Sequence, residues 1–237
     1  MRLAQLENGY RYNSDTLVLY GFIKDRLNAW FKGEVLDVGC GCGVLGLLLK
    51  RDFKGASLSL LDVQDINLEI SRQNARANGL EAEILNADFA GFKSDTKFDL
   101  IVSNPPFYHD GVKQSAVEHL KLSRYASALS LRGFIAGVNA NLKPKGELFF
   151  CYDTAEVAEI FAALREFKLA PVSLRFVHAK AQKAANLVLV HAKKDSHSKA
   201  KILPPLVMMD ENGYTKEATE IFAKAATKSE IYKKASA

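Results

Sequence analysis

The chain has 237 residues, 48% of them hydrophobic and 25% charged, with 32 Lys and Arg against 27 Asp and Glu for a net charge of +5. That is enough for one substantial core, or one core with a small appendage, at ordinary globular composition. No run approaches the roughly 18 apolar residues of a membrane span, the N-terminus lacks a signal pattern, and Cys40, Cys42 and Cys151 have no four-ligand zinc spacing; a cytoplasmic protein without metal is therefore expected, ahead of a membrane, secreted or zinc-module one.

In chain order, residues from Asn13 to about Phe31 place apolar side chains at near-helical spacing, with Ser14 or Asp15 as the cap and Gly33 as the end. Glu34–Val38 reads as a strand that runs into Gly39-Cys40-Gly41-Cys42-Gly43, and Val44–Lys50 resumes as a helix. Strand, glycine turn and helix make the first half of a parallel α/β unit. Ser57–Leu61 is a second strand ending at Asp62, followed by a helix capped by Asp65 and closed by Gly79. Ala82–Leu85 is a third strand leading to Asp88, and Phe98–Ser103 a fourth leading straight into Asn104. A helix around Leu131–Leu142 stops before Lys143-Pro144-Lys145-Gly146; Glu147–Tyr152 is a fifth strand and Thr154–Phe167 a helix. Val172–Val177 and Asn186–His191 are strands joined by a link too short for a crossover helix, so they must be antiparallel. After a polar linker at Asp195–Lys201 come a strand, Ile202–Met209, and a helix, Thr215–Ala226. The fold class is α/β, a Rossmann-like, seven-stranded, mostly parallel sheet with an antiparallel C-terminal hairpin and helices on both faces.

The glycine loop has two readings. Gly41, Gly43 and Gly46, with Asp62 some twenty residues on, spell a dinucleotide fingerprint. Asp37, Gly39, Gly41 and Gly43 spell the loop that binds S-adenosyl-L-methionine (SAM), with a carboxylate placed to meet the cationic amino group of the methionine moiety. Asp62 suits either ligand, since both carry a ribose diol. Asp88, after the third strand, favours SAM by its similarity to class I methyltransferases, in which an Asp there accepts from the adenine amino group; its plainer role is a turn residue. Cys40 and Cys42 read as packing residues.

Asn104-Pro105-Pro106-Phe107 follows the fourth strand, at the strand ends where open α/β sheets bind ligands. The lone pair of an aromatic amino nitrogen is delocalised into its ring and is a poor nucleophile. Two acceptors, the Asn104 side-chain oxygen and the Pro105 carbonyl, can bond both amino hydrogens and turn the lone pair towards a methyl donor. The prolines stiffen the loop, and Phe107 offers a face for a flipped-out base. The plainer reading is a rigid turn. The loop has no cysteine for carbon methylation, and His109 reads as a surface residue.

The charge is uneven. Residues 171–237 hold 12 Lys and Arg against 6 Asp and Glu, net +6, whereas the preceding 170 hold 20 against 21, net −1. Such an edge suits a polyanion, so RNA docking is expected on Lys180, Lys183, Lys193, Lys194, Lys199 and Lys201.

Asp37 to Gly43, Asp62, Asp88 and Asn104-Pro105-Pro106-Phe107 together resemble the amino-directed class I SAM-dependent methyltransferases, which include adenine N6, guanine N2 and glutamine N5 enzymes. The longer string Asn104 to Gly111, Leu122-Ser123-Arg124-Tyr125, Asn212 to Glu217 and Asn13-Ser14-Asp15-Thr16-Leu17 make the chain similar to the bacterial family that methylates adenine-37 N6 of valine tRNA. The resemblance implies SAM as cofactor and tRNA as partner, with an rRNA guanine N2 or protein glutamine N5 enzyme as the alternative and a non-catalytic nucleotide-binding module as the non-enzyme reading. It implies Asn104, Pro105, Pro106 and Phe107 as catalytic, and Asp15, Asp37, Gly39, Gly41, Gly43, Asp62, Val63, Asp88, Phe89 and Asn104 as cofactor contacts. Tyr108 and Arg124 join the lysines as RNA contacts. The expected organisation is a helical segment over 1–33, the methyltransferase domain over 34–194 and a basic extension over 195–237 packed on the same domain, in a monomer.

Overall fold

The computed structural model describes residues 1–7, 11–105 and 129–232. Its elements run β1 (Arg2–Gln5), α1 (Ser14–Lys24), β2 (Glu34–Val38), α2 (Val44–Asp52), β3 (Ser57–Asp62), α3 (Asp65–Ala77), β4 (Glu83–Asn86) and β5 (Phe98–Ser103). Then follow α4 (Leu131–Asn141), β6 (Leu142–Asp153), a 3₁₀ turn at Thr154–Glu156, α5 (Val157–Glu166), β7 (Leu169–Lys180), β8 (Ala185–Lys194), β9 (Lys201–Ile202), β10 (Leu206–Asp210), β11 (Gly213–Tyr214), α6 (Lys216–Ala225) and β12 (Lys228–Ile231). Among the described residues no helix is long and apolar enough to cross a membrane.

Ten strands form the main sheet, in the order β11-β10-β7-β8-β6-β5-β2-β3-β4 with β9 beside β7. The strands β4, β3, β2, β5 and β6 are mutually parallel, while β8 runs antiparallel to both β6 and β7. This is the expected class I SAM methyltransferase fold, widened beyond seven strands by β9, β10 and β11. At the centre Leu36, Leu60, Leu100, Ile101, Val102, Phe149 and Phe150 are all inaccessible to solvent. Burial of successive residues, which point to opposite faces, means that both faces of the parallel core are covered. One cover is α1, which touches α2 and α6. Its Gly21 brings α6 close: a Cβ there would stand 3.1 Å from Ile221.

Local corrections have local causes. Asn13, not Ser14 or Asp15, caps α1 by accepting from the Asp15 N–H, and α1 ends at Lys24, well before Gly33. Gln64 rather than Asp65 is the cap position of α3, without a side-chain cap bond; the Asp65 carboxylate instead accepts from the Asn86 side chain. The Lys143-Pro144-Lys145-Gly146 stretch belongs to β6, which absorbs it through a register shift against β5 and a positive φ at Lys145.

The segment over 1–33 is not only helical. β1 pairs in parallel with β12, joining the two ends of the described chain in a second, two-stranded sheet. Two asparagines, Asn74 on α3 and Asn78 at its C-terminal cap, grip the free edge of β1. Asn74 accepts from the Ala4 N–H at 2.7 Å and donates to the Ala4 carbonyl at 3.0 Å; Asn78 does the same for Arg2 at 3.0 and 2.7 Å. Each amide thus supplies the donor–acceptor pair that a neighbouring strand would.

Candidate functional site

A cavity opens at the C-terminal ends of β2, β3, β4 and β5, where an open parallel sheet leaves its crevice. Its floor is the turn from β2 to α2, where Gly39, Gly41 and Gly43 have φ of 65°, 55° and 80°. An L side chain in this region costs roughly 1–2 kcal/mol, which explains glycine at alternate positions. A Cβ on Gly39 or Gly41 would meet nothing within 4 Å. The backbone there faces open space that a ligand can approach.

Three carboxylates attend the loop. Asp37 is 2% exposed and accepts from the Gly46 N–H at 2.8 Å, tying the end of β2 to α2. Burial raises its pKa to about 7; the Gly46 bond works against the rise, and the charge of Asp62 adds to it. Asp62 accepts from the Gly41 N–H at 2.9 Å with one oxygen, and from the Gln64 N–H and the Asn67 amide at 2.9 and 3.1 Å with the other. Asp88 is exposed at the end of β4 and accepts from the Ala90 N–H at 3.0 Å, the turn role, while also lining the cavity. Val63 and Phe89 complete that side: Val63 is 54% exposed, whereas Phe89 is buried against Phe92 and Phe134. A crevice lined by acids, with open glycine backbone and an apolar wall, suits a cationic ligand carrying a ribose and an aromatic base.

Asn104 and Pro105 close the opposite wall. Ser103 fixes the end of β5 by donating to the Val38 carbonyl at 2.7 Å, so Asn104 leaves the sheet beside the glycine loop. Pro106, Phe107, Tyr108, His109 and Arg124 lie outside the described residues.

The structure departs from the expected set at Asp15, which is not on the cavity wall. Its carboxylate is held by Asn13 and Ser14 at 3.0 and 3.3 Å, on the first turn of α1. The wall is made instead by Thr16, with Tyr12 and Leu6. Sequence reasoning missed these three; the helical phase of α1 is the signal that separates Thr16 from Asp15. Cys40 and Cys42 stay thiols, raised by burial, Cys42 to about 12, which fits packing. No group of His, Cys, Asp or Glu among the described residues could hold a metal.

The lysines divide by strand direction. Lys180 and Lys183 are exposed at the β7–β8 turn, level with the cavity end of the sheet, since His178 stands opposite Ala185 and Leu187 opposite Asp153. Lys193 and Lys194 sit at the other end, beside Glu147 and Leu169. Lys193 pairs with Glu147 at 3.4 Å, and Lys194 donates to the Asn139 and Leu142 carbonyls at 2.6 and 3.1 Å. Lys201 pairs with Ser173, short of the cavity end, with Lys199 just before it. The six are not one surface, and the expectation that treated them so is corrected.

The family model of the methyltransferase small domain matches residues 16–166, which takes in the glycine loop, Asp62, Asp88 and Asn104. The chain belongs to the methyltransferase small-domain family. Its cofactor is SAM, as the loop reading that begins at Asp37 expects and the dinucleotide reading does not. The ribosomal RNA small subunit methyltransferase C of Actinobacillus pleuropneumoniae is 42% identical over 120 residues, 49% of this chain and 33% of that protein. The chain thus spans about a third of the length of that relative. A predicted O-methyltransferase from Agrobacterium tumefaciens has the same fold, with TM-score 0.69 at 18% identity over 91% of this chain and 99% of the other. So does the 16S rRNA N2 G1207 methyltransferase of T. thermophilus, solved with AdoMet and guanosine, with TM-score 0.58 at 23% identity over 80% of this chain and 45% of that one.

Within this methyltransferase domain Asp62 makes one bond to the glycine loop and two to the start of α3, and its removal should weaken SAM binding at least tenfold, at roughly 1.5 kcal/mol or more for bonds to a charged group. Calorimetry on Asp62→Ala checks this; an unchanged affinity would remove Asp62 from the cofactor site.

Proposed function

We propose that the chain transfers the methyl group of SAM to an exocyclic amino nitrogen of a purine in RNA. The observation that carries this is Asn104: a side-chain amide at the end of β5, on the wall of the cavity whose floor is the SAM loop. When bound, SAM supplies an electrophilic methyl on a sulfonium. Asp37 is assigned to the cationic amino group, Asp62 to the ribose, and Asp88 and Phe89 to the adenine. Asn104 and Pro105 offer the amino group two acceptors and need no strong base beside it. Phe107 is assigned the base-stacking role.

Two purines fit this reading. Guanine N2 in ribosomal RNA is supported by the A. pleuropneumoniae relative, an rRNA methyltransferase by name, and by the Thermus enzyme of the same fold. Adenine N6 in tRNA is favoured by the segments that carry the valine-tRNA resemblance, Asn13 to Leu17 and Asn212 to Glu217. The helices these segments open, α1 and α6, pack on one another, and the first segment has Thr16 on the cavity wall. Nucleoside mass spectrometry of tRNA and rRNA from a deletion strain decides between them. Loss of N2-methylguanosine from rRNA selects the first and loss of N6-methyladenosine from tRNA the second; unchanged RNA, with no methyl transfer to either in vitro, refutes both.

RNA docking is assigned to Lys180 and Lys183 at the cavity end. Replacing both with Gln should flatten the dependence of log affinity on log salt by about one to two units, because two phosphate contacts no longer release counterions. Replacing Lys199 and Lys201 should leave the slope near wild type. Filter binding across a salt series reads both, and the reverse order would place the docking surface elsewhere.

A further inference from the structure

We infer that Cys151 and Thr16 are positioning residues, a buried thiol and a hydroxyl that together lock the amide of Asn104 in the orientation its proposed role requires; the inference rests on the catalytic reading of Asn104. The Cys151 thiol, on β6 and inaccessible to solvent, donates to Asn104 Oδ1 at 3.1 Å. From the other side Asn104 Nδ2 donates to the Thr16 hydroxyl on α1 at 2.9 Å. An unrestrained amide could turn over and present its NH₂ to the substrate. That would set donor against donor and leave the amino group only the Pro105 carbonyl to bond. Here each end of the amide has a partner of the right kind. The thiol takes one lone pair of Oδ1 and leaves the other for an incoming N–H, since an amide oxygen has two.

The arrangement follows from register. Ser103 stands opposite Phe150, so the next residue along each strand brings Asn104 beside Cys151. Thr16 lies in the first turn of α1, three residues after the Asn13 cap, and it is 4% exposed. Burial, with the nearby charge of Asp15, holds the thiol protonated far above the usual thiol range, so it remains a donor. Cys151 is absent from the cavity wall and acts from behind, whereas Thr16 lines it.

The test is a set of substitutions assayed for methyl transfer under saturating SAM, on the RNA identified by the deletion strain. Cys151→Ala and Thr16→Val should each lower kcat by about tenfold, equivalent to about 1.4 kcal/mol or one hydrogen bond, with KM for RNA changed less than about twofold. Cys151→Ser, which replaces the thiol donor with a hydroxyl donor, and Thr16→Ser, which keeps the hydroxyl acceptor, should retain most of the rate. In an Asn104→Ala background, Cys151→Ala should cost nothing further, because the amide it orients is gone. Equal loss in Cys151→Ser and Cys151→Ala, or full additivity with Asn104→Ala, would show a packing role and overturn the inference. Thr16→Val and Thr16→Ser test the same lock from its other end if a Cys151 variant fails to fold. Wild-type turnover in Asn104→Ala would instead overturn the catalytic reading itself, a separable outcome.

Discussion

Replacing Asn104 with alanine is expected to lower the methyl-transfer rate by about two to three orders of magnitude while changing SAM affinity by no more than a few-fold. The physical reason is that the amide oxygen acts on the substrate amino group. A donor or acceptor fixed in a water-poor site and used as charge develops is worth about 3–4 kcal/mol, by analogy with oxyanion-hole groups. Asn104 sits at the cavity wall with both ends of its amide already engaged, so no reorganisation is needed when substrate arrives. Single-turnover transfer from labelled SAM measures the rate, and calorimetry with S-adenosylhomocysteine measures the cofactor. A variant with wild-type turnover on the identified RNA would end the assignment.

Asp37→Asn is expected to stabilise the ligand-free protein by about 4 kcal/mol above pH 7 and to leave it close to wild type near pH 4. The carboxyl titrates at about 7 when folded, against 3.8 for an ordinary aspartate, because it is buried. With a raised folded pKa, the folded state keeps a proton that the unfolded chain has released. Stability therefore falls as pH rises from about 4 to about 7 and is flat above. A rise from 3.8 to about 7 corresponds to about 4 kcal/mol. Asparagine does not ionise, yet its oxygen can still accept from Gly46. The same change should weaken SAM binding, since a neutral amide offers less to a cationic amino group; here stability and function pull apart. Melting curves from pH 4 to 8 check the prediction, and parallel profiles for the two proteins would sink it.

Elements with their own local signal were legible in the sequence. β2 and β5 have the predicted bounds, Glu34–Val38 and Phe98–Ser103, because each is a compact apolar run ended by a turn or by Asn104. The glycine loop was legible because backbone conformation dictates glycine at Gly39 and Gly41. What depends on register and direction was not. Cys151 looks like one more apolar residue of a buried strand, and only the β5–β6 pairing brings it to Asn104. Lys183 and Lys193 are ten residues apart in a basic region, yet β8 carries them to opposite ends of the sheet. β1 and β12 were missed because their sequences, Arg-Leu-Ala-Gln and Lys-Ser-Glu-Ile, show little apolar alternation and pair only with each other.

The pairing of β1 with β12 also sets an order of events on the ribosome. β1 is made long before its partner; Arg2 and Glu230, which form an ion pair at 2.9 Å, are 228 residues apart. Closing a loop of that length from an open chain costs about 5 kcal/mol, more than a four-residue ladder returns. The ladder must therefore wait until the rest of the fold has carried both strands to the same place, with Asn74 and Asn78 holding β1 in readiness. Leu6 and Tyr12, just beyond β1, belong to the cavity wall. The ladder thus closes last and steadies a crevice wall that Asn74 and Asn78 already hold in place, and the amides of β1 and β12 should be among the first to exchange with solvent in the mature molecule.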